Sequence, residues 1–413
     1  MTDTFHTTGA LREALNDESF SRPPALVANA HVTGLSVARA LEKADVPVIA
    51  IDRSPEGVAP PSNTVDYAGR VTYPLDDAEG FKSDVESIVE AVGRDVVAFA
   101  CMDEWVHAFA ETEPAGVRLP FSDAATIDRV LDKESLYASA EELGVPYPET
   151  YRLSETAPER AAEKLGFPLV VKPARKREFE EAIGTNVVEV HDSEEFDEIV
   201  AAAREAGIRI MAQERVDVDQ GRDHSVGSYV PPDGGADEAL AFVGNPSVRY
   251  PLSFGTSTLV EPASLPSIEA HALTILEDSG YHGISEAEFV YDRNRETYVL
   301  LDINTRPWKW IGLPVESGVN LPLAAYAAMT EATYEPEPDR STRWVYLRDY
   351  LALLAGEDGF RDRFDTVTWE TLVSGSFEDR GEVTTGVYRP SDPGPAVKLL
   401  ETEFSEREYY CAC

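Results

Sequence analysis

Two short segments near residue 290 constrain this chain more than any other feature. Glu286-Ala287-Glu288-Phe289-Val290-Tyr291 and Tyr298-Val299-Leu300-Leu301-Asp302-Ile303 are rich in aromatic and aliphatic residues and flank a polar run from Asp292 to Glu296. That pattern predicts a β-hairpin. Residues two apart on a strand share a face, so Glu286 and Glu288 fall together, as do Asp302 and Asn304. A turn centred near Asn294 or Arg295 brings all four side chains onto one face. Three carboxylates beside an amide repel one another unless cations bridge them. Hard oxygen donors on adjacent strands suit Mg²⁺, which takes a few carboxylates and completes its shell with phosphate and water oxygens. Arg306, two residues on, is placed to hold a phosphoryl oxygen. A solvent-facing acidic strand would share the alternation, but Asn304-Thr305-Arg306-Pro307-Trp308 is too particular a run for one.

Composition sets the frame around this hairpin. At 413 residues the chain has room for two or three domains. Its net charge of −39 would suit disorder, but 43% hydrophobic and 9% aromatic residues argue for packed domains instead. No apolar run reaches the length of a membrane span. No secretory pattern opens the sequence, so a cytoplasmic location is expected. The overall field repels phosphate backbones, which removes nucleic acid from the expected partners. Lysine is scarce: eight residues against 75 Asp and Glu. Abundant carboxylates with few lysines resemble proteins of salt-loving cytoplasms, where strong salt screens self-repulsion; an ordinary acidic bacterial protein is the alternative. Three cysteines make no disulfide framework. Cys101 reads as core, and the Cys411-x-Cys413 pair lies at a terminus expected to fray.

Along the chain, residues 1 to about 22 read as polar and loosely held. Leu26 to Ala28 and Val46 to Ile51 read as strands on either side of a helix carrying Val37, Ala38, Leu41 and Ala44, a parallel βαβ unit. Val96 to Cys101 is a further apolar strand, so residues 1–120 read as an open α/β sheet. The turn Asn29-Ala30-His31-Val32-Thr33-Gly34 lacks G-x-G-x-x-G, which disfavours a dinucleotide site. A helix is predicted from about Asp132 to Leu143, ended by Gly144. Leu169 to Pro173 is an apolar strand carrying Lys172. Asn186 to Val190 and Ile208 to Gln213 read as strands around a helix, strands follow near 225–230 and 240–243, and 267–279 reads as a helix. After residue 331 come a Pro/Glu-rich stretch, a helix from Tyr346 to Ala355 and a strand-like tail.

The hairpin motif resembles the metal-binding end of ATP-grasp ligases, and the order of the other segments agrees over roughly residues 25–320. The resemblance implies an ATP-grasp fold: α/β, with α+β character in the nucleotide domain. An N-terminal open parallel sheet (1–120) would precede two ATP-grasp subdomains (121–207 and 208–330) and a C-terminal extension (331–413). It implies ATP with Mg²⁺, Mn²⁺ being an acceptable substitute. The metal ligands would be Glu288, Asp302 and Asn304. Lys133 and Lys172 would sit on the phosphates, and Glu214 and Val216 on the adenine edge. Asp219 and Asp223 are both candidates for the ribose hydroxyls, and Asp223 enters the nucleotide set. Arg306 and Arg249 would act at the reacting groups, Arg249 on the transferring phosphate or on the substrate carboxylate. His31, Asp103 and Glu104 are substrate-side candidates. Within the superfamily A-x-x-x-G-L-S-x-A-R-A-L, D-E-W and I-N-T-R-P-W look most like D-aspartate ligase and carbamoyl-phosphate-synthase-like carboxylate–amine ligases. The implied activity joins a carboxylate to an amine or thiol through an acyl phosphate. The rival reading is a non-catalytic ATP-binding scaffold, motivated by the charged run Arg175 to Glu181, which stands where the superfamily has a glycine- and serine-rich lid. Homodimers are a superfamily habit and an expectation on that ground alone.

Overall fold

Runs of four or five apolar residues with no polar alternation build the first sheet. In the computed structural model, which describes residues 5–174, 187–252, 255–330, 332–356 and 366–403, these runs are strands β1 (Ala25–Ala28), β2 (Val48–Asp52) and β4 (Val96–Ala100). Every residue in all three is buried, as parallel strands covered on both faces require. With β3 (Tyr67–Arg70) and β5 (Val117–Arg118) they form an all-parallel sheet in the order β3-β2-β1-β4-β5. Strand order reverses between β1 and β4. The residues after those two strands, Asn29 to His31 and Met102 to Glu104, therefore edge the crevice where such sheets take ligands. Cys101 is buried there, as expected. The N-terminal segment departs from its expectation. Residues Thr8–Asn16 form a helix capped by Thr7, whose Leu11 and Leu15 are fully buried beside the helix Ala78–Val92. The four-residue spacing of these leucines supplies an apolar stripe that the polar remainder masks.

The second sheet is antiparallel, β6 (Thr150–Arg152), β7 (Leu169–Pro173), β8 (Val188–Val190) and β9 (Ile210–Glu214) in the order β6-β9-β7-β8. Leu169, Val171 and Ala212 pack with Ala161 of the helix Pro158–Leu165 and Phe196, Val200 and Ala203 of the helix Ser193–Glu205. The charged run Arg175 to Glu181 lies outside the described residues, as do Cys411 and Cys413.

The third sheet holds seven strands: β10 (Val218–Val230), β11 (Leu240–Tyr250), β12 (Thr256–Ala263), β13 (Gly283–Asp292), β14 (Thr297–Asn304), β15 (Arg343–Val345) and β16 (Val383–Thr385). Their order is β14-β13-β10-β11-β12-β15-β16. The helix Pro266–Ser279 matches its expected place. The chain after 331 continues this sheet, because β15 pairs with β12 and β16 with β15. The expected strand-like tail is instead the helix Gly394–Glu403. After β14 the chain folds back over the sheet, and two tryptophans need space there. A Cβ on Gly227 would lie 2.2 Å from the Trp308 ring, and one on Gly244 would lie 2.6 Å from Trp310. Both rings are 2% exposed and pack against N-terminal core residues, which joins the first sheet to the third. Among the described residues no helix is long and apolar enough to cross a membrane.

Candidate active site

Asp292 pairs with Thr297, so the tip of the β13–β14 hairpin is Arg293 to Glu296 and its centre falls between Asn294 and Arg295. Continued without interruption, that register would set Glu288 opposite Leu301 and Glu286 opposite Ile303. Asp302 and Asn304 would then fall on the far face, since a slip of one residue flips every side chain. The ladder instead shifts between Glu288 and Phe289, leaving Leu301 as an extra residue on β14. Beyond this bulge Glu288 faces Asp302 and Glu286 faces Asn304. The expected grouping therefore forms, but by a bulge rather than by the turn alone. Ser225 and Gly227 of β10, opposite Glu288 and Glu286, share the face.

The cluster is drawn together by its own bonds. Asn304 Nδ2 donates to Glu288 Oε1 at 3.2 Å. Asp302 Oδ1 accepts from Lys133 Nζ, and both residues are buried, at 8% and 5% exposure. Lys133 opens the helix Lys133–Leu143, which Asp132 caps by accepting from the N–H groups of Glu134 and Ser135. The Lys133 N–H donates to the Ala174 carbonyl at 3.2 Å, two residues past Lys172, so both lysines sit at this junction. Lys172 is half-buried on β7 opposite Met211.

The remaining candidates fall around this core. Arg306 donates from Nε to Asp103 Oδ1 at 2.6 Å, tying the third sheet to the mouth of the first. Burial opposes the Arg306 charge, and Asp103, Glu286 and Glu104 together outweigh it and raise the guanidinium's pKa. Arg249 Nε donates to Asp223 Oδ2 at 2.9 Å, and its Nη1 to the Gly255 carbonyl at 3.2 Å. Asp223 thus turns one carboxylate oxygen to Arg249. Asp219 instead faces Arg293 at 2.9 Å on the exposed side of the hairpin tip. Glu214 ends β9, where its carboxylate accepts from the Glu149 N–H at 2.7 Å and from the Arg295 guanidinium. Val216 follows, its carbonyl accepting from the Val218 N–H. His31 lies 3.8 Å from the buried Asp52, and Glu104 accepts from the Tyr73 hydroxyl.

The sequence grouped Glu286 with the oxygen donors of the hairpin but gave it no role, and it did not single out Lys309. Glu286 is buried, and burial followed by the Glu288 charge raises its carboxyl, with Arg306 and Arg249 opposing. Lys309 donates to Thr256 Oγ1 and Asp349 Oδ2, both at 2.9 Å, which fixes the segment after Arg306. The scarcity of lysine is the signal that could have drawn attention to Lys309. Among the described residues no three His, Cys, Asp or Glu side chains form a metal cluster. Glu288, Asp302 and Asn304 bring two carboxylates and an amide together, and these hard oxygen donors fit Mg²⁺, which takes one or two carboxylates with phosphate oxygens.

A parallel N-terminal sheet, a small antiparallel sheet and a larger, mostly antiparallel sheet carrying an acidic cluster make up the ATP-grasp fold, and the protein has it. Among solved structures, N5-carboxyaminoimidazole synthetase from Staphylococcus aureus complexed with ADP superposes with a TM-score of 0.61 at 13% identity, covering 83% of this chain and 87% of that one. Biotin carboxylase from Campylobacter jejuni gives a TM-score of 0.60 at 15% identity, covering 80% and 75%. In sequence, the chain is 26% identical over 215 residues to D-aspartate ligase of Enterococcus faecium (strain Aus0004), covering 49% of this chain and 50% of the relative. It is 25% identical over 227 residues to the carbamoyl phosphate synthase large chain, C-terminal section, of Methanopyrus kandleri, covering 51% and 38%. These matches span half or less of the relatives' lengths. No family model matches the chain.

Proposed function

We propose that the protein is an ATP-dependent ligase that joins a carboxylate to an amine, or to a thiol, through an acyl phosphate, releasing ADP and phosphate. The observation that carries this reading is the convergence of Glu288, Asp302, Asn304 and Lys133 on one sheet face. Likeness to D-aspartate ligase and to the carbamoyl phosphate synthase section supports it. Glu288, Asp302 and Asn304 would hold Mg²⁺, and Mn²⁺ in its place. Bound there with the nucleotide, the metal supplies charge neutralisation on the phosphates. The chain's own residues do the rest. Lys133 and Lys172 add positive charge beside the nucleotide. Glu214 and Val216 offer backbone groups to the adenine edge, and Asp223 is the candidate for the ribose. Arg306 and Arg249 flank the reacting groups, where fixed positive charge offsets what develops during transfer. The N-terminal crevice with His31, Asp103 and Glu104 lies on the substrate side, where it would orient the reacting groups. No side chain need act as a nucleophile.

The test is an ADP-release screen at molar KCl with Mg²⁺ against pooled amino acids and small carboxylates. Release that depends on a carboxylate and an amine together, and that Asp302→Ala reduces by at least about a hundredfold with the fold intact, is the expected result. Unchanged ATP turnover in Asp302→Ala refutes the assignment. Nucleotide binding without ADP formation across the whole panel favours the scaffold reading instead.

A further inference from the structure

β14 is an edge strand of the seven-stranded sheet, and among the described residues no further strand covers it. Its outer side is occupied by the helix Lys133–Leu143 and the strap that follows it. The Leu300 N–H donates to the Pro146 carbonyl at 2.8 Å. The Leu301 carbonyl accepts from the Tyr137 hydroxyl at 2.8 Å. Asp302 accepts from Lys133, and Arg295, at the hairpin tip, donates to the Tyr147 carbonyl at 3.2 Å. Tyr137 and Tyr147 stack with ring centres 5.4 Å apart and planes 17° apart. Tyr137 is 1% exposed, one helical turn beyond Lys133.

The residue that Tyr137 holds is the bulged one. Without the extra residue at 301, Asp302 and Asn304 would face away from Glu288 and Glu286, so the site exists only while the bulge stays at that place. Bulges re-aim side chains, and an edge strand has only one partner strand to fix where its bulge lies. The geometry points to Tyr137 as a positioning residue: its hydroxyl pins the Leu301 carbonyl, keeps the bulge at 301 and so aims Asp302 and Asn304 at the metal. Burial raises the Tyr137 pKa, so the hydroxyl remains a donor across the working pH range. This inference rests on Asp302 and Asn304 being metal ligands, and its test is chosen to separate the two claims.

The experiment is calorimetric titration of Mn²⁺ into the full-length chain saturated with a non-hydrolysable ATP analogue. It compares the unaltered protein with Tyr137→Phe and with Tyr147→Leu. Tyr137→Phe keeps the stacked ring and loses the hydroxyl, with its bond to the Leu301 carbonyl and its contact with Gln213; Tyr147→Leu loses the stack and keeps that hydroxyl. Tyr137→Phe is expected to weaken Mn²⁺ by about tenfold, the scale seen when a group that orients a metal ligand is removed. Its affinity for the metal-free analogue should stay within twofold. Tyr147→Leu is expected to lower the melting temperature and leave Mn²⁺ affinity near that of the unaltered protein. Equal Mn²⁺ affinity in Tyr137→Phe overturns the positioning role while leaving the metal site standing. Equal weakening in both variants, in step with melting temperature, also overturns it, as a general loss of packing. Failure of the unaltered protein to bind Mn²⁺ overturns both the metal site and this inference.

Discussion

Lys133 and Asp302 come from different elements, and each is the other's buried counter-charge. Removing one partner of such a pair strands a charge in a poorly solvated site, at about 3–5 kcal/mol, whereas replacing both with apolar groups of similar volume is often neutral. Lys133→Met is therefore expected to lower stability by that amount. Lys133→Met with Asp302→Leu is expected to recover most of it while remaining inactive. Chemical denaturation of Lys133→Met, Asp302→Leu, the double variant and the unaltered protein closes the cycle, and a double-variant loss equal to the sum of the two single losses refutes the coupling. The same pair shows how far single residues could be read from sequence. Both lysines of the site stand out because the chain has only eight, and one of these two sits in an otherwise apolar strand. The partner that each would choose was not legible, because Lys133 and Asp302 are 169 residues apart and only the docked helix brings them together.

At the scale of elements, periodicity two made the hairpin visible, and apolar runs made β1, β2 and β4 visible. The bulge at Leu301 left no mark, since an extra residue in a strand leaves the apolar composition of Leu300-Leu301 unchanged. The fate of residues after 331 was equally hidden, because three-residue strands are too short to show a period. Those strands complete the third sheet. Val345 pairs with Leu259 and Trp344 with Val260, and Trp344 and Tyr350 are fully buried. Burying each large side chain contributes about 1.5–3 kcal/mol, so the several in this segment rival the about 5–15 kcal/mol that holds a whole protein together. A chain ending at residue 330 is expected to lack a cooperative thermal transition in near-ultraviolet circular dichroism. A sharp melt in that variant would show that the extension is an independent appendage.

Across the whole molecule, the first and last parts are locked by one carboxylate. Asp392 Oδ2 accepts from Arg39 Nη2 at 2.8 Å and from Ser62 Oγ at 2.7 Å, and Oδ1 accepts from the Asn63 N–H at 2.9 Å. Burial alone would raise this carboxyl; Ser62, the Asn63 N–H and Arg39 outweigh burial and hold its pKa below the ordinary value. A depressed folded pKa gives stability that is complete above the unfolded value, about 3.9, and is lost as pH falls through the folded one. The melting-temperature gap between the unaltered protein and Asp392→Asn should thus be constant above about pH 5 and shrink below about pH 4. A gap that widens in acid contradicts the assignment. The surface as a whole carries the opposite liability. A net charge of −39 pushes outward on every domain, and the few lysines leave much of it uncompensated. Raising KCl from about 0.1 M to about 1 M shortens the screening length from about 10 Å to about 3 Å, less than the usual spacing of exposed carboxylates. If self-repulsion limits stability, the melting temperature climbs by several degrees over that range and then levels. Exclusion of salt from the surface would act differently, strengthening burial in proportion to concentration and more with sulfate than with chloride. A melting curve that is flat in KCl up to about 1 M would show that the acidic surface is already balanced in the fold, and the salt-loving reading of the composition would fall with it.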